Sequence, residues 1–287
     1  MQWNGKNGML KNCNFINNTA NTGVGGAIYW NGANGSLTGS TFTSNTAKYG
    51  GAIRWWGAKG ILSNSIFTGN TATNGDSGGV DWYGANGRLI DSTFLNNTAT
   101  NYGGGVGLGG INGSISGCIF TGNTANVGGG VDCWATNGIL NDCTFNSNTA
   151  FRGGGVCWGN SNGILNGCTF NSNNANSHGG GILLTSNAIN SILTNSKFIN
   201  NDAKTSGSAI YWGAAGSMVN CSFNSKWVKS NGIFANSTLN IDGGKGIVDL
   251  VIQGTLSGTS IVVLNNETYY YPPNTNINFV NNVLNYA

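Results

Sequence analysis

Nine acidic side chains and one histidine in 287 residues set narrow limits on the chemistry of this chain. Asp81 and Asp132 share a local setting, each directly after a valine (Val80, Val131) that follows a glycine pair. Two carboxyl groups at a fixed separation are what glycosidic cleavage uses, one as acid and one as base. Asp91 and Asp142 repeat the relationship around Gly117, as Asp81 and Asp132 do around Gly107. Against catalysis, the Asp81 position is filled elsewhere by Tyr29, Arg54, Cys157, Leu183 and Tyr211, the scatter expected of a variable outward site. The chain therefore reads as a non-enzyme, with a polysaccharide lyase or hydrolase as the minority reading.

The aromatic residues carry more weight. Trp30, Trp55, Trp82, Trp158 and Trp212 have the parity of nearby Ile and Val and are expected inside; strands ending one residue earlier would turn them out as a sugar-stacking ladder. Trp56, Tyr83 and Trp134 fall one residue later, in loops. With Tyr29, Arg54, Asp81, Asp132 and Tyr211 they form a candidate outward ligand-binding strip, because exposed aromatics among mixed charges are typical of recognition surfaces. Thr19, Thr46, Thr71, Thr98, Thr124 and Thr149 make a threonine ladder that suits an exposed strand or, on the rival reading, an ice-ordering face. Seven cysteines without a Cys-x-x-Cys, and His178 alone before a glycine corner, predict buried thiols, a solvated histidine, no disulfide framework, no metal and no cofactor. Free thiols on a surface protein suggest anoxic surroundings. Seven N-x-S/T sequons read mostly as accidents of an Asn/Thr-rich composition.

The element that must position these residues is a repeat. Phe15, Phe42, Phe67, Phe94, Phe120, Phe145, Phe170 and Phe198 recur every 25 to 28 residues, each with Asn three places on. Five before each Phe stands an apolar residue (Leu10 to Met218), two before it Ser or Cys, and five after it Ala. A glycine pair or triplet then leads to Ile or Val. Short period-2 stretches between Gly/Asn corners exclude a helical repeat and describe coils of a parallel β-helix. The predicted fold is all-β: a right-handed parallel β-helix (solenoid) of about nine coils with a C-terminal β cap. Coils stacked at about 4.8 Å make a rod about 40 Å long, with the repeated Asn as a hydrogen-bonded ladder. Residues 1–226 form the repeat domain; residues 227–287, where the register fails, are a degenerate coil plus a cap or the start of a following module.

Only 7% of residues are charged and the net charge is +3 without a Lys/Arg cluster, so no nucleic-acid footprint exists. No apolar run approaches the roughly 20 residues of a membrane helix, so no membrane insertion is expected within this chain. Met1-Gln2-Trp3 already sits inside a unit, which predicts a piece of a longer protein whose signal and anchor lie elsewhere.

Gly25-Gly26-Ala27-Ile28 and Gly50-Gly51-Ala52-Ile53, each coupled to Phe-x-x-Asn, resemble the paired GGAI and FxxN repeats of polymorphic outer-membrane proteins over residues 8–226. In its Asn/Thr-rich style the chain more closely resembles the adhesin-like surface proteins of methanogenic archaea, which carry similar repeats. The resemblance implies an extracellular, cell-surface β-helix that mediates adhesion, with a glycan or protein on another cell as partner. A purely structural wall protein that self-associates end to end is the further alternative.

Overall fold

The computed structural model describes residues 1–205, 207–214, 216–219 and 221–224, and beyond them separate strands up to Tyr286. Among the described residues there is no helix. The chain is a parallel β-solenoid in which one turn contributes four short strands, for example Ile28–Trp30, Ser36–Thr38, Thr41–Thr43 and Thr46–Tyr49. The narrowest of the four sheets has eight strands, so eight turns are complete, close to the nine expected.

Stacking is residue on residue: Leu62 lies between Leu37 and Leu89, and Phe67 between Phe42 and Phe94. Strand side chains alternate between faces, so a slip of one residue would turn a whole apolar column into water. Leucine, phenylalanine, Ile/Val and tryptophan columns meet in one continuous core. Phe42 to Phe198 stack with ring centroids 4.6–4.9 Å apart, close to the strand spacing itself. The five column tryptophans are at most 1% exposed, which settles them as core.

The corners are held by polar side chains with assigned bonds. Asn97 Oδ1 accepts from the Asn70 amide and backbone, while its Nδ2 donates to Asn123 Oδ1 and the Phe67 carbonyl. The pattern runs from Asn18 to Asn201, so every FxxN asparagine serves as the predicted ladder rung. The Ser/Cys column works similarly: Ser65 Oγ accepts from the Ser40 backbone N–H, and Cys118 Sγ does so for Ser92. All seven cysteines are free thiols. Asp91 and Asp142 lie exposed at positive-φ turns, which is a corner role.

The structure adds a fourth narrow sheet in which threonines face out and alanines in, with Thr71 paired to Thr46 and Thr98. Trp227–Ser230, Ile233–Phe234 and Thr238–Ile241 continue three sheets in parallel beyond residue 226, while Ile277–Val280 and Val283–Tyr286 run antiparallel.

Candidate functional site

In the three-residue strands of the tryptophan sheet, from Ile28–Trp30 to Ile210–Trp212, the first and third residues point inward and the middle one outward. The middle residues stack in register as Tyr29, Arg54, Asp81, Gly107, Asp132, Cys157, Leu183 and Tyr211. An outward column would ordinarily be wet. Here it is the floor of a groove, because the chain rises on both sides of the sheet. Tyr49, Asp76 and Tyr102 stand on the side where the strand is entered, and Trp56, Tyr83 and Trp134 on the side where it is left. The wall residues Trp56 and Trp134 are 46% and 47% exposed, whereas Asp81 and Asp132 are 2% and 1% exposed. The candidate strip is therefore recessed, with its two carboxyl groups sunk beneath the aromatic walls rather than displayed on a flat face.

At one end of the groove lies a filled chamber. The Arg54 guanidinium sits 5.0 Å from the Tyr49 ring, 5.4 Å from Trp56 and 5.1 Å from Tyr83. Its Nη1 lies 3.4 Å from Asp81 Oδ2. Trp56 and Tyr83 stack at 4.7 Å, and the Tyr83 hydroxyl donates to Asp76 at 3.5 Å. Next to it the groove opens into a cavity of about 320 Å³ lined by Asp76, Asp81, Tyr83, Tyr102, Asp132 and Trp134. The opening arises on a single coil, where Gly107 replaces the floor side chain and Gly109 the wall aromatic. A Cβ at Gly107 would stand 2.3 Å from the buried Ser77 Oγ, so the hydroxyl of the preceding coil lies against the bare Gly107 backbone.

Burial governs the electrostatics. It lifts Asp132 to about 8, against the Trp134 indole N–H, which donates to its Oδ2, and the Cys157 thiol of the next coil. Burial likewise lifts Asp81 to about 7, in spite of Arg54. Asp76 is raised for the same reason, and Tyr83 is pushed to about 12 by burial and then by the charges of Asp81 and Asp76. Asp132 Oδ1 has no partner of ordinary hydrogen-bonding geometry. Such a site favours a ligand that brings both a flat apolar face and a group able to satisfy a carboxylate.

Six of the eight strip residues, Arg54, Trp56, Asp81, Tyr83, Asp132 and Trp134, are brought together along this groove. Tyr29 lies one coil beyond Arg54, and Tyr211 stands three coils beyond Asp132. The Tyr211 ring stacks on His178 at 4.8 Å, so the histidine is packed rather than solvated as expected. Sequence reasoning missed Tyr49, Asp76 and Tyr102. The signal for the tyrosines was present, since Tyr49 and Tyr102 both immediately precede a glycine pair.

The family model of the Chlamydia polymorphic membrane protein repeat matches residues 39–54 and 91–107. Both windows run from a turn through Phe and Asn to the glycine pair, and they end on the two floor residues Arg54 and Gly107. The chain carries polymorphic-membrane-protein-type repeats. That family is one of repeats and not of enzymes, and such repeats point to a surface-exposed, outer-membrane-associated protein. No curated protein and no solved structure matches the chain, and the archaeal likeness finds no support. Among the described residues no helix is long and apolar enough to cross a membrane, which leaves β-barrels unaddressed.

Proposed function

We propose that this chain is the display rod of a cell-surface adhesin, extracellular in position, and that its lateral groove binds a glycan on another cell. The observation that carries the reading is the groove itself: a recessed floor with carboxyl groups, walled by the Trp56–Tyr83 stack on one coil pair and by Trp134 further along. Stacked aromatics offer flat apolar faces to sugar rings, while buried acceptors hold hydroxyl or amino groups. The test is a glycan array, with whole microbial cells alongside, probed with the purified chain and with Trp56→Ala, Tyr83→Ala and Trp134→Ala. Saturable binding to a narrow set of glycans, lost in the aromatic variants while the melting temperature holds, supports the reading. Binding unchanged in all three variants removes the groove from it.

One observation favours polysaccharide cleavage as a second reading. Asp81 and Asp132 flank the cavity two coils apart, about 9 to 10 Å along the axis, near the upper end of the separation in inverting glycosidases. Burial lifts Asp132 to about 8, which suits a general acid at neutral pH, and Asp81 to about 7, where it is divided between acid and base forms. Release of reducing ends or unsaturated products, abolished by Asp81→Asn or Asp132→Asn, would decide for it.

A further inference from the structure

The repeat builds the same chamber twice, and in one of the two a cation is already seated. In the first, Arg54 stands on the floor, Tyr49 rises five residues before it, and Asp81 and Tyr83 arrive from the next coil. In the second, Gly107 stands on the floor, Tyr102 rises five residues before it, and Asp132 and Trp134 arrive from the next coil. Register makes the sets equivalent, since Arg54 pairs with Asp81 and Gly107 with Asp132. The first chamber holds a guanidinium against two tyrosine rings and a carboxylate. In the second, Tyr102 and Trp134 meet edge to face with centroids 6.4 Å apart, and with Asp132 they border open space where no guanidinium stands.

Charge counts in the same direction. Asp76, Asp81 and Asp132 line the cavity, and Arg54 is the cation that faces Asp76 and Asp81. Three carboxylates against one guanidinium leave two negative charges in excess if all ionise. In a poorly solvated site that excess is met by holding protons or by binding a cation. Asp132 lines the cavity at 1% exposure; the Trp134 indole donates to its Oδ2, and Oδ1 has no hydrogen bond of ordinary geometry beside the Cys157 thiol. A metal ion is a poor fit: Asp81 and Asp132 stand two coils apart, about 9 to 10 Å, and among the described residues no three ligand-type side chains converge. Aromatic faces beside a carboxylate instead suit an organic ammonium group. The second chamber is also wider than the first, because Gly109 stands where Trp56, Tyr83 and Trp134 stand on other coils. There is room for a ring next to the cation.

We propose that the Gly107 chamber binds the ammonium group of an unacetylated amino sugar. The ammonium enters the open space bordered by the Tyr102–Trp134 pair and Asp132, the counterpart on its coil of the Arg54 guanidinium beside Tyr49, Tyr83 and Asp81. This assignment rests on the glycan reading above and narrows it to a positively charged sugar.

Calorimetric titration of the whole chain with the free-amine trisaccharide of glucosamine, and with its fully N-acetylated counterpart, tests it at pH 7. The free-amine form should bind about tenfold or more tightly, the size of one charge-assisted hydrogen bond in a sheltered site. Asp132→Asn should erase that preference. Gly107→Arg in a Ser77→Gly background copies the Arg54 coil, clears the Ser77 hydroxyl, and should abolish binding while the melting temperature is held or raised. This second variant keeps the test intact should Asp132→Asn fold poorly. Equal affinity for the two trisaccharides overturns the assignment and leaves the glycan reading standing. Tighter binding of Nα-acetyl-arginine methylamide overturns it in favour of a protein partner. No binding of either trisaccharide also overturns it, and the glycan array then shows separately whether the glycan reading falls too.

Discussion

Replacing Asp132 with asparagine should stabilise the protein, and the gain should grow with pH. Asp132 is 1% exposed, and burial lifts its pKa from 3.8 to about 8. Between those values the unfolded chain has released the proton while the folded protein still holds it. The folded state then binds more protons than the unfolded one, so stability falls as pH rises through this window. The interval from 3.8 to about 8, at about 1.4 kcal/mol per pH unit, amounts to about 5 to 6 kcal/mol by pH 8. Burial sets that value and the groups facing Asp132 adjust it: the Trp134 indole and Cys157 thiol favour the carboxylate, and Asp76 opposes it. Asparagine keeps the shape and has no proton to lose here. Asp132→Asn should therefore match the wild type within about 1 kcal/mol at pH 4, as expected for swapping one neutral hydrogen-bonding group for another, and exceed it by several kcal/mol at pH 8. Urea unfolding at both pH values measures the difference through the midpoint at constant slope. Because solenoids can unfold coil by coil, amide exchange at Val131 and Val156 provides a local readout of the same quantity. A difference that stays flat between pH 4 and pH 8 would refute the burial argument, and with it the charge balance assigned to the cavity.

Other expectations follow from the same geometry. Arg54→Met removes the cation paired with buried Asp81, and unfolding at pH 8 should show a loss of about 3 kcal/mol, smaller at pH 4 where Asp81 is protonated. Asn123→Ala deletes two bonds accepted from Asn97 and two donated to Phe94 and Asn148, so urea midpoints should report a loss of about 4 kcal/mol at about 1 kcal/mol per bond. Phe120→Ala, in the middle of the stacked column, should cost about 3 to 5 kcal/mol in the same assay. Trp56→Ala, at an exposed wall, should change stability by about 1 kcal/mol or less while weakening any ligand that stacks there.

The two matched windows explain why family resemblance reaches the fold more readily than the site. Their shared residues, Phe42 and Phe94, Asn45 and Asn97, and the glycine pairs, are those that close a coil. The windows end at Arg54 and Gly107, where the repeat stops constraining residue type and the groove begins. A motif of this kind transmits architecture, and the variable floor column decides what each copy can bind.

By itself the sequence determined the solenoid, its inward columns and the asparagine ladder. A period of 25 to 28 residues repeated eight times leaves one way to bury every Phe, Leu and Val at once, with each Asn amide bonding its neighbour. It also named six of the groove residues: Arg54, Asp81 and Asp132 by their parity within a three-residue strand, and Trp56, Tyr83 and Trp134 by their place in the loop that follows. Depth was beyond it. Asp81 and Asp132 point outward as read, yet they are buried, because Tyr49, Asp76 and Tyr102 rise on one side of the sheet and Trp56, Tyr83 and Trp134 on the other. Those walls come from different coils, so residues as far apart in sequence as Asp76 and Trp134 meet across one cavity. Burial, the raised carboxyl pKa values and the open chamber at Gly107 all follow from that stacking. Sequence alternation specifies the face on which a side chain lies; only the stacked coils specify how much water reaches it.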